Sequence, residues 1–292
     1  MLSLILQKSA LFSAYLDESE DPATRIFVVG GFVGRTEVWD HLQPKWLACL
    51  PDDISYFHAT DCFSRHGQFA CLDLPSRIAI LDMLTDLIVS HDVALIGYGI
   101  DSRTYKRLAP KPKHNDFLTN KYSAVCSLVV QMACEAMGNG PTMDRGPRWI
   151  WNLLEHGDEW EQCDFFIENH DTYNESAKRA IQFLRGYKGA WWRDRIGAVC
   201  TGEKDGLQKI PLLQAADLGA FLAAKKICEC RDGAIPWRPY YRKLEMAGRI
   251  YRLAKWDEAS LNALYESLEE AAKESAEGGS LWDEILRDLT GA

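Results

Sequence analysis

The sequence lacks the features that mark secreted, membrane-spanning or disulfide-stabilised proteins. Its nine cysteines are scattered and contain no C-x-x-C pair, so we expect reduced thiols, with no disulfide framework or zinc ribbon. No apolar run reaches the roughly 18 residues that a membrane span needs. The short apolar start, MLSLIL, has no basic region before it and is broken by Gln7 and Lys8, so we expect no signal peptide. These absences predict a cytoplasmic protein without a membrane partner.

The chain also has fewer basic than acidic residues, 33 Lys and Arg against 42 Asp and Glu, and its net charge is −9. Such a charge disfavours a general nucleic-acid binder. The segment 178–195 is the exception, because it carries six basic residues and one acidic residue among several aromatics. It could follow a phosphate backbone and stack bases, or it could be a solvated helix face followed by core tryptophans. The candidate nucleic-acid contacts are Arg185, Lys188, Trp191, Trp192 and Arg193.

The remaining composition, 47% hydrophobic and 26% charged residues, is that of a globular protein. Apolar periodicity predicts strands at 13–18, 25–34, 93–101, 163–171 and 195–204, and helices at 36–50, 74–91, 119–137, 174–185 and 211–229. Residues 54–63 are predicted to be a short extended piece that leads into a turn. This order is typical of an α/β protein with a mixed sheet. We predict a single domain over residues 1–292, with a core at about 13–230 and a helical C-terminal extension at about 240–292.

Acidic residues recur at the ends of the predicted elements, where a metal site could form. Asp17 ends the first strand and Glu168 follows FFI, while Asp217 lies within LLQAADLGAFLAA. An unpaired charge among those apolar neighbours would be costly, so Asp217 needs a basic side chain or a metal ion as its partner. Gln214 shares its helix face. Hard cations such as Mg²⁺ or Mn²⁺ prefer carboxylate oxygens, and two of them can clamp a phosphodiester.

Each of these residues also has a simpler interpretation. A lone aspartate at a strand end, such as Asp17, is usually a turn or cap residue, and Asp171 fits the N-cap of the helix at 174–185. His58 could pack beneath the sheet. Glu18 points away from Asp17 if the strand continues through it, because side chains alternate along a strand.

Four motifs, YLDES, FVVGGFV, FHATD and LLQAADLGAF, together resemble the family called domain of unknown function 3800 over about residues 13–230. That family looks like a branch of the ribonuclease H-like superfamily. The resemblance implies a ribonuclease H-like mixed sheet flanked by helices on both faces. It places the family's functional positions on Asp17, His58, Asp61, Glu168 and Asp217. Gln214 precedes Asp217 on the last helix, and the pair Glu203–Lys204 stands before that helix. LDESED lacks the family's usual glycine after LDES, and the tryptophan-rich segment 147–162 matches no family role.

From the carboxylates and this resemblance we predict a metal-dependent nuclease or phosphodiesterase that uses two Mg²⁺ or Mn²⁺ ions. The predicted metal ligands are Asp17, Asp61, Glu168 and Asp217, with Lys204 or His58 assisting catalysis and Glu18, Gln214 and Asp171 as secondary candidates. The sequence leaves two alternatives open. One is a non-catalytic nucleic-acid- or protein-binding regulatory module on the same fold, and the other is a phosphoesterase for small nucleotides.

Overall fold

The computed structural model describes residues 11–108, 120–137, 162–169, 174–186, 193–205 and 209–262. The strands are β1 (Phe12–Asp21), β2 (Ile26–Arg35), β3 (Val93–Asp101), β4 (Cys163–Glu168), β5 (Ile196–Gly202) and β6 (Ile250–Trp256). The helices are α1 (Thr36–Ala48), α2 (Ala59–Ser64), α3 (Leu74–Val89), α4 (Ser102–Leu108), α5 (Lys121–Met137), α6 (Asn174–Gly186), α7 (Leu213–Ile227) and α8 (Arg238–Met246). Short 3₁₀ helices span Gly67–Cys71 and Arg193–Arg195.

The six strands form one mixed sheet in the order β5-β4-β1-β2-β3-β6. Strands β1, β2 and β3 are antiparallel neighbours. Strand β4 runs parallel to β1, β5 runs parallel to β4, and β6 runs parallel to β3. The predicted α/β fold, with the first four strands of the sequence in one mixed sheet, is therefore confirmed.

Helices cover both faces of this sheet, so the sheet has a hydrophobic core on each side. On one face, α5 and α6 pack over Ala14 and Leu16 of β1. On the other face, α1, α3 and α7 pack around Tyr15 and Phe32. Because successive β1 side chains alternate between these two cores, Asp17 is on the same face as Tyr15 and thus faces α7.

Helix α7 lies unusually close to β1 and β2, because small residues form the contact. A Cβ atom on Gly219 would lie 2.8 Å from the Phe32 ring and 3.0 Å from the Gly31 Cα. Further along the helix, a Cβ atom on Gly30 would lie 3.4 Å from the Ala223 Cβ and 3.5 Å from the Ala220 Cα. Since Gly30 pairs with Asp17 across the hairpin, this close packing sets the distance between Asp17 and the helix.

Two predictions from the sequence are wrong. Residues 54–63 do not end in a simple turn, because 59–64 form helix α2. The first N–H of this helix donates to a side chain from α7, and no local side chain caps it. The extension at 240–292 is not helical throughout, because 250–256 form β6. Parallel pairing with β3 supplies the hydrogen bonds of that strand. The rest of the extension, 263–292, and the tryptophan-rich segment up to 161 lie outside the described residues.

Every helix in the described parts of the chain is too short or too polar to cross a lipid bilayer.

The close packing of α7 predicts that Gly219→Val destabilises the fold. The added side chain would meet the buried Phe32 ring and the β2 backbone, and overpacking of this kind costs about 1–3 kcal/mol in the free energy of unfolding. Gly233→Val is the matched control, because nothing lies within 4 Å of its Cβ position; it should change stability by about 0.5 kcal/mol or less. Equal effects of the two variants in urea denaturation would contradict the packing account.

Candidate functional site

Two of the predicted site residues are brought together by the pairing of β1 with β4. The last paired residues of these parallel strands are Leu16 and Ile167, so Asp17 and Glu168 follow at the same edge of the sheet. Both side chains point to the α7 face, because their strands place Tyr15 and Phe166 there, stacked with ring centroids 4.7 Å apart. Ligands of α/β sheets commonly bind at this carboxyl edge.

Lys204 and Asp217 complete the cluster from two further elements. Gly202 at the end of β5 pairs with Glu168, and Lys204 follows two residues later. The Lys204 Nζ lies 2.9 Å from Asp17 Oδ2, 2.8 Å from Glu168 Oε2 and 3.1 Å from Asp217 Oδ1. A single ammonium group is therefore bound by three carboxylates that come from two strands and a helix.

This cluster is buried and has an excess of negative charge. The Lys204 side chain is 7% exposed and that of Asp17 is 3% exposed, whereas Glu168 is 24% exposed. Three carboxylates of charge −1 around one ammonium of charge +1 give a formal charge of −2. One ammonium cannot neutralise three carboxylates, so the carboxylates still repel one another.

The pKa values show the same imbalance. Burial raises the pKa of Asp17 to about 6, against the opposing effect of Lys204. Burial also raises the pKa of Asp217, and the Asp17 carboxylate adds to this rise. For Lys204, burial alone would lower the pKa, but the surrounding carboxylates outweigh it and raise that pKa well above its ordinary value. The charged form of Lys204 is thus strongly stabilised, whereas the single ammonium group does not fully stabilise the charged forms of Asp17 and Asp217.

Asp217 and Gln214 also hold neighbouring backbone in place. The Asp217 Oδ2 accepts a hydrogen bond from the Ala59 N–H at the start of α2. The Gln214 Oε1 accepts from the Phe57 N–H at 2.9 Å and from the Trp46 indole at 3.2 Å. These bonds fasten residues 57–59 to α7, and so they fix the position of His58 next to the cluster.

His58 and Asp61 lie at the rim of the site. The His58 Nδ1 is 3.1 Å from Asp61 Oδ2, and its Nε2 is 3.8 Å from Asp217 Oδ1. The two side chains are 35% and 27% exposed. Asp61 therefore touches the cluster through His58, and solvent reaches the site on the side where these residues and Glu168 are exposed.

Glu18 is not part of the cluster, because its side chain lies on the opposite face near Tyr122 and Cys126 of α5. Its Oε2 is buried and has no hydrogen-bond partner among the described residues. Burial, reinforced by the negative charges of Asp17 and Glu168, raises the pKa of Glu18 to about 8.

The predicted nucleic-acid surface is described only in part. Arg185 is exposed on α6, and the backbone of Arg193 lies in a 3₁₀ helix. The other candidate contacts lie outside the described residues: Lys188, Trp191 and Trp192. The same holds for Asp171, a secondary candidate for the metal site.

Sequence reasoning missed two features of the molecule. It gave Lys204 an assisting role and did not place its ammonium group between the carboxylates. It also missed a group formed by Asp21, Cys228 and Cys230, which among the described residues is the only set of three whose metal-ligand atoms all lie within 4.8 Å of one another. The C-x-C spacing of the two cysteines was the available signal, but nothing local connects them with Asp21.

No family model, no curated protein and no solved structure matches this chain. The resemblance to the domain of unknown function 3800 family therefore stays a prediction based on its motifs. Any function assigned to the chain depends on those motifs and on the geometry of the site.

The raised pKa of Glu18 predicts a pH-dependent effect of Glu18→Gln. Its pKa rises from 4.5 to about 8, so the stability contributed by the protonated carboxyl is complete below pH 4.5 and is lost as pH rises through 8. Glutamine mimics the neutral form. The variant should match the wild type at pH 4.5 and be more stable at pH 9, by on the order of 1–3 kcal/mol.

Urea denaturation at several pH values measures this difference. Glu37→Gln, which changes an exposed carboxylate, serves as the control and should give nearly the same difference at every pH. A Glu18→Gln variant that loses stability relative to the wild type as pH rises would contradict the account.

Proposed function

We propose that this chain is a metal-dependent phosphodiesterase that hydrolyses nucleic acid, and that its sheet is of the ribonuclease H-like type. The observation that carries this proposal is the cluster of Asp17, Glu168 and Asp217 around Lys204. It is buried, has a formal charge of −2 and lies at the carboxyl edge of three parallel strands. The mixed sheet with helices on both faces agrees with the architecture that the sequence motifs imply.

The residues of the cluster fit a divalent ion in chemistry and in charge. Carboxylate oxygens are the ligands that Mg²⁺ and Mn²⁺ prefer, and one divalent ion would balance the formal charge of −2. Asp17, Glu168 and Asp217 would hold the metal, with Asp61 at the edge. When bound, the metal supplies a positive charge for phosphate oxygens and lowers the pKa of water; the proposal allows a second ion, as two-metal hydrolysis requires.

Two side chains other than the metal ligands, Lys204 and His58, would also act in the reaction. The Lys204 ammonium group directs its three donors to the three carboxylates. It would hold a phosphate oxygen at the cluster after it releases one of these carboxylates to a bound metal. The Asp61 carboxylate orients the His58 ring through Nδ1, which leaves Nε2 directed toward the cluster. Nε2 is thus placed to hold or transfer a proton at the solvent-exposed side of the site.

The choice of a nucleic acid over a small phosphoester depends on the basic segment 178–195. In the part of this segment that lies on α6, Lys178, Arg179 and Arg185 are exposed. Clustered basic residues next to aromatic ones suit a single-stranded backbone with stacked bases. This segment therefore supports a polymeric substrate despite the net charge of −9.

One observation favours a second candidate, a non-catalytic binding module on the same fold. The three carboxylates already contact the Lys204 ammonium group. One oxygen from each of the three cannot be chosen so that all three oxygens lie within 4.8 Å of one another. In this alternative the cluster is a structural ion-pair network. Substitutions of Asp17 and Lys204 distinguish the two candidates.

Asp17→Asn should abolish most of the metal-dependent cleavage. The amide is nearly isosteric with the carboxylate but is a poor ligand for a hard cation, and loss of such electrostatic stabilisation lowers kcat by about 100-fold or more. Cleavage would be measured on single-stranded and duplex DNA and RNA with Mn²⁺ or Mg²⁺, and with EDTA as a blank. Asp53→Asn, at an exposed position, is the control and should retain full activity.

Absence of metal-dependent cleavage of all four substrates by the wild type, together with binding that Asp17→Asn does not alter, would contradict the enzyme proposal. That result would favour the binding module.

Lys204→Met should make folding depend on a divalent ion. Without the ammonium group, the buried Asp17 and Asp217 and the partly exposed Glu168 have no cation between them. This should lower the free energy of unfolding in EDTA by on the order of 3 kcal/mol. Saturating Mn²⁺ should restore much of that loss, because a ligand that binds only the folded state stabilises it. Lys209→Met removes a lysine with an exposed ion pair and should have little effect in either condition.

The wild type provides the second measurement if the Lys204→Met protein does not fold in EDTA. Its melting temperature should also rise with Mn²⁺, and Asp17→Asn should reduce the rise. If Mn²⁺ stabilises neither protein, the carboxylates do not form a metal site.

A further inference from the structure

The group of Asp21, Cys228 and Cys230 lies apart from the carboxylate cluster, and we propose that it binds Zn²⁺. Its carboxylate oxygen and two thiol sulfurs all lie within 4.8 Å of one another. All three residues are partly exposed, so an ion can reach them from solvent. The proposal is independent of the phosphodiesterase function.

The end of helix α7 brings the two thiols together. The Glu229 N–H donates to the Lys226 carbonyl at 3.1 Å, and the Cys230 N–H donates to the Lys225 carbonyl at 3.0 Å. This pattern is a Schellman motif, which needs a left-handed residue after the helix and usually has glycine there. Here Glu229 adopts that conformation, with φ of 51°. The chain therefore reverses between the two cysteines and directs both toward the end of β1.

Asp21 is held in an orientation that leaves one oxygen for the thiols. Its Oδ2 accepts hydrogen bonds from the N–H and the hydroxyl of Thr24, each at 2.8 Å. Its Oδ1 accepts from the Cys230 thiol at 3.5 Å. The Lys225 Nζ lies 4.0 Å from the same Oδ1. The carboxylate is thus oriented before any ion binds.

Contacts from the start of α8 fix the second cysteine in a similar way. The carbonyl of Cys230 accepts hydrogen bonds from the Trp237 indole at 3.1 Å and from the Arg238 guanidinium at 3.0 Å. Outer contacts of this kind orient metal ligands and raise affinity. Three elements of the fold therefore hold the group: the end of β1, the end of α7 and the start of α8.

The donor set favours zinc over the hard cations proposed for the carboxylate cluster. Thiolates are ligands for Zn²⁺ and Cu⁺, whereas Mg²⁺ and Mn²⁺ prefer oxygen ligands. Zn²⁺ accepts sulfur and carboxylate ligands together, and sites with three protein ligands keep a fourth position for water. Two thiolates and one carboxylate carry −3, which Zn²⁺ and the nearby Lys225 ammonium group balance. Each thiol would release its proton on binding.

Zinc at this position would fasten together the two elements that carry the carboxylate cluster. Asp21 follows Asp17 on β1 by four residues, roughly 13 Å along the strand. Cys228 follows Asp217 by eleven residues, roughly 16 Å along α7. The ion would therefore stabilise the contact between β1 and α7 from the far end, without contacting the carboxylate cluster.

A titration of the reduced full-length protein with Co²⁺, followed by Zn²⁺, tests the proposal. Co²⁺ should give a thiolate charge-transfer band and a tetrahedral visible spectrum at one equivalent, and Zn²⁺ should displace it. Replacing a direct ligand, in Cys228→Ser or Cys230→Ser, should weaken binding by about 100-fold or more, since loss of outer contacts alone costs 10–100-fold. Cys71→Ser, which removes an exposed cysteine elsewhere, should bind like the wild type.

The wild-type titration decides the question even if a variant does not fold. Absence of a thiolate–Co²⁺ band in the wild type would overturn the proposal, and so would a band that survives in the Cys228→Ser/Cys230→Ser double variant. Asp17→Asn should leave the thiolate–Co²⁺ band and its displacement by Zn²⁺ unchanged; a loss of that band in the variant would also count against a separate site.

Discussion

The buried ammonium group of Lys204 is the interaction on which the arrangement of the site depends. It joins the carboxyl ends of β1 and β4 to helix α7, through residues as far apart in the chain as Asp17 and Asp217. Without a cation at this point, three carboxylates would lie together at an edge of the sheet where water is largely excluded. The cost of such an arrangement is high. The ion pairs therefore constrain the positions of two strands, a helix and the segment after β5 at once.

The surrounding packing fits this constraint. Gly219 allows α7 to approach the hairpin closely enough for Asp217 to reach the same ammonium group as Asp17. Gln214 on the same helix face binds the backbone of residue 57 and the Trp46 indole, and its amide donates to the Lys204 carbonyl. One helix thus places a charge, orients the rim that carries His58 and holds the backbone of the lysine. The excess negative charge that remains after these contacts is the basis of the metal site that we propose.

Much of the fold could be predicted from the sequence because its signals are local. The β-branched, glycine-containing run of β2 and the apolar periodicity of α3, α5 and α7 indicate their structures without knowledge of distant residues. Asp217 could also be singled out, since a charge in an apolar helix needs a partner. The identity of that partner could not be predicted, because Lys204 reaches it only through the pairing of β5 with β4.

The two wrong predictions and the missed group of metal-ligating residues also result from long-range contacts. Helix α2 depends on Asp217 for the hydrogen bond at its N-terminus, and β6 depends on pairing with β3. The Asp21, Cys228 and Cys230 group depends on the left-handed backbone of Glu229 and on the packing of β1 against α7. None of these long-range contacts leaves a periodic pattern in the local sequence. The sequence therefore located the carboxylates of the site but not what lies between them.

The central claim is that the carboxylates around Lys204 form a metal site, and a crystal structure with Mn²⁺ tests it most directly. Anomalous scattering measured near the manganese absorption edge would locate bound ions without interpretation of the surrounding density. We expect an anomalous peak in contact with Asp17, Glu168 and Asp217, with the Lys204 ammonium group displaced from at least one of them. No peak at saturating Mn²⁺, with Lys204 still bound by all three carboxylates, would contradict the claim.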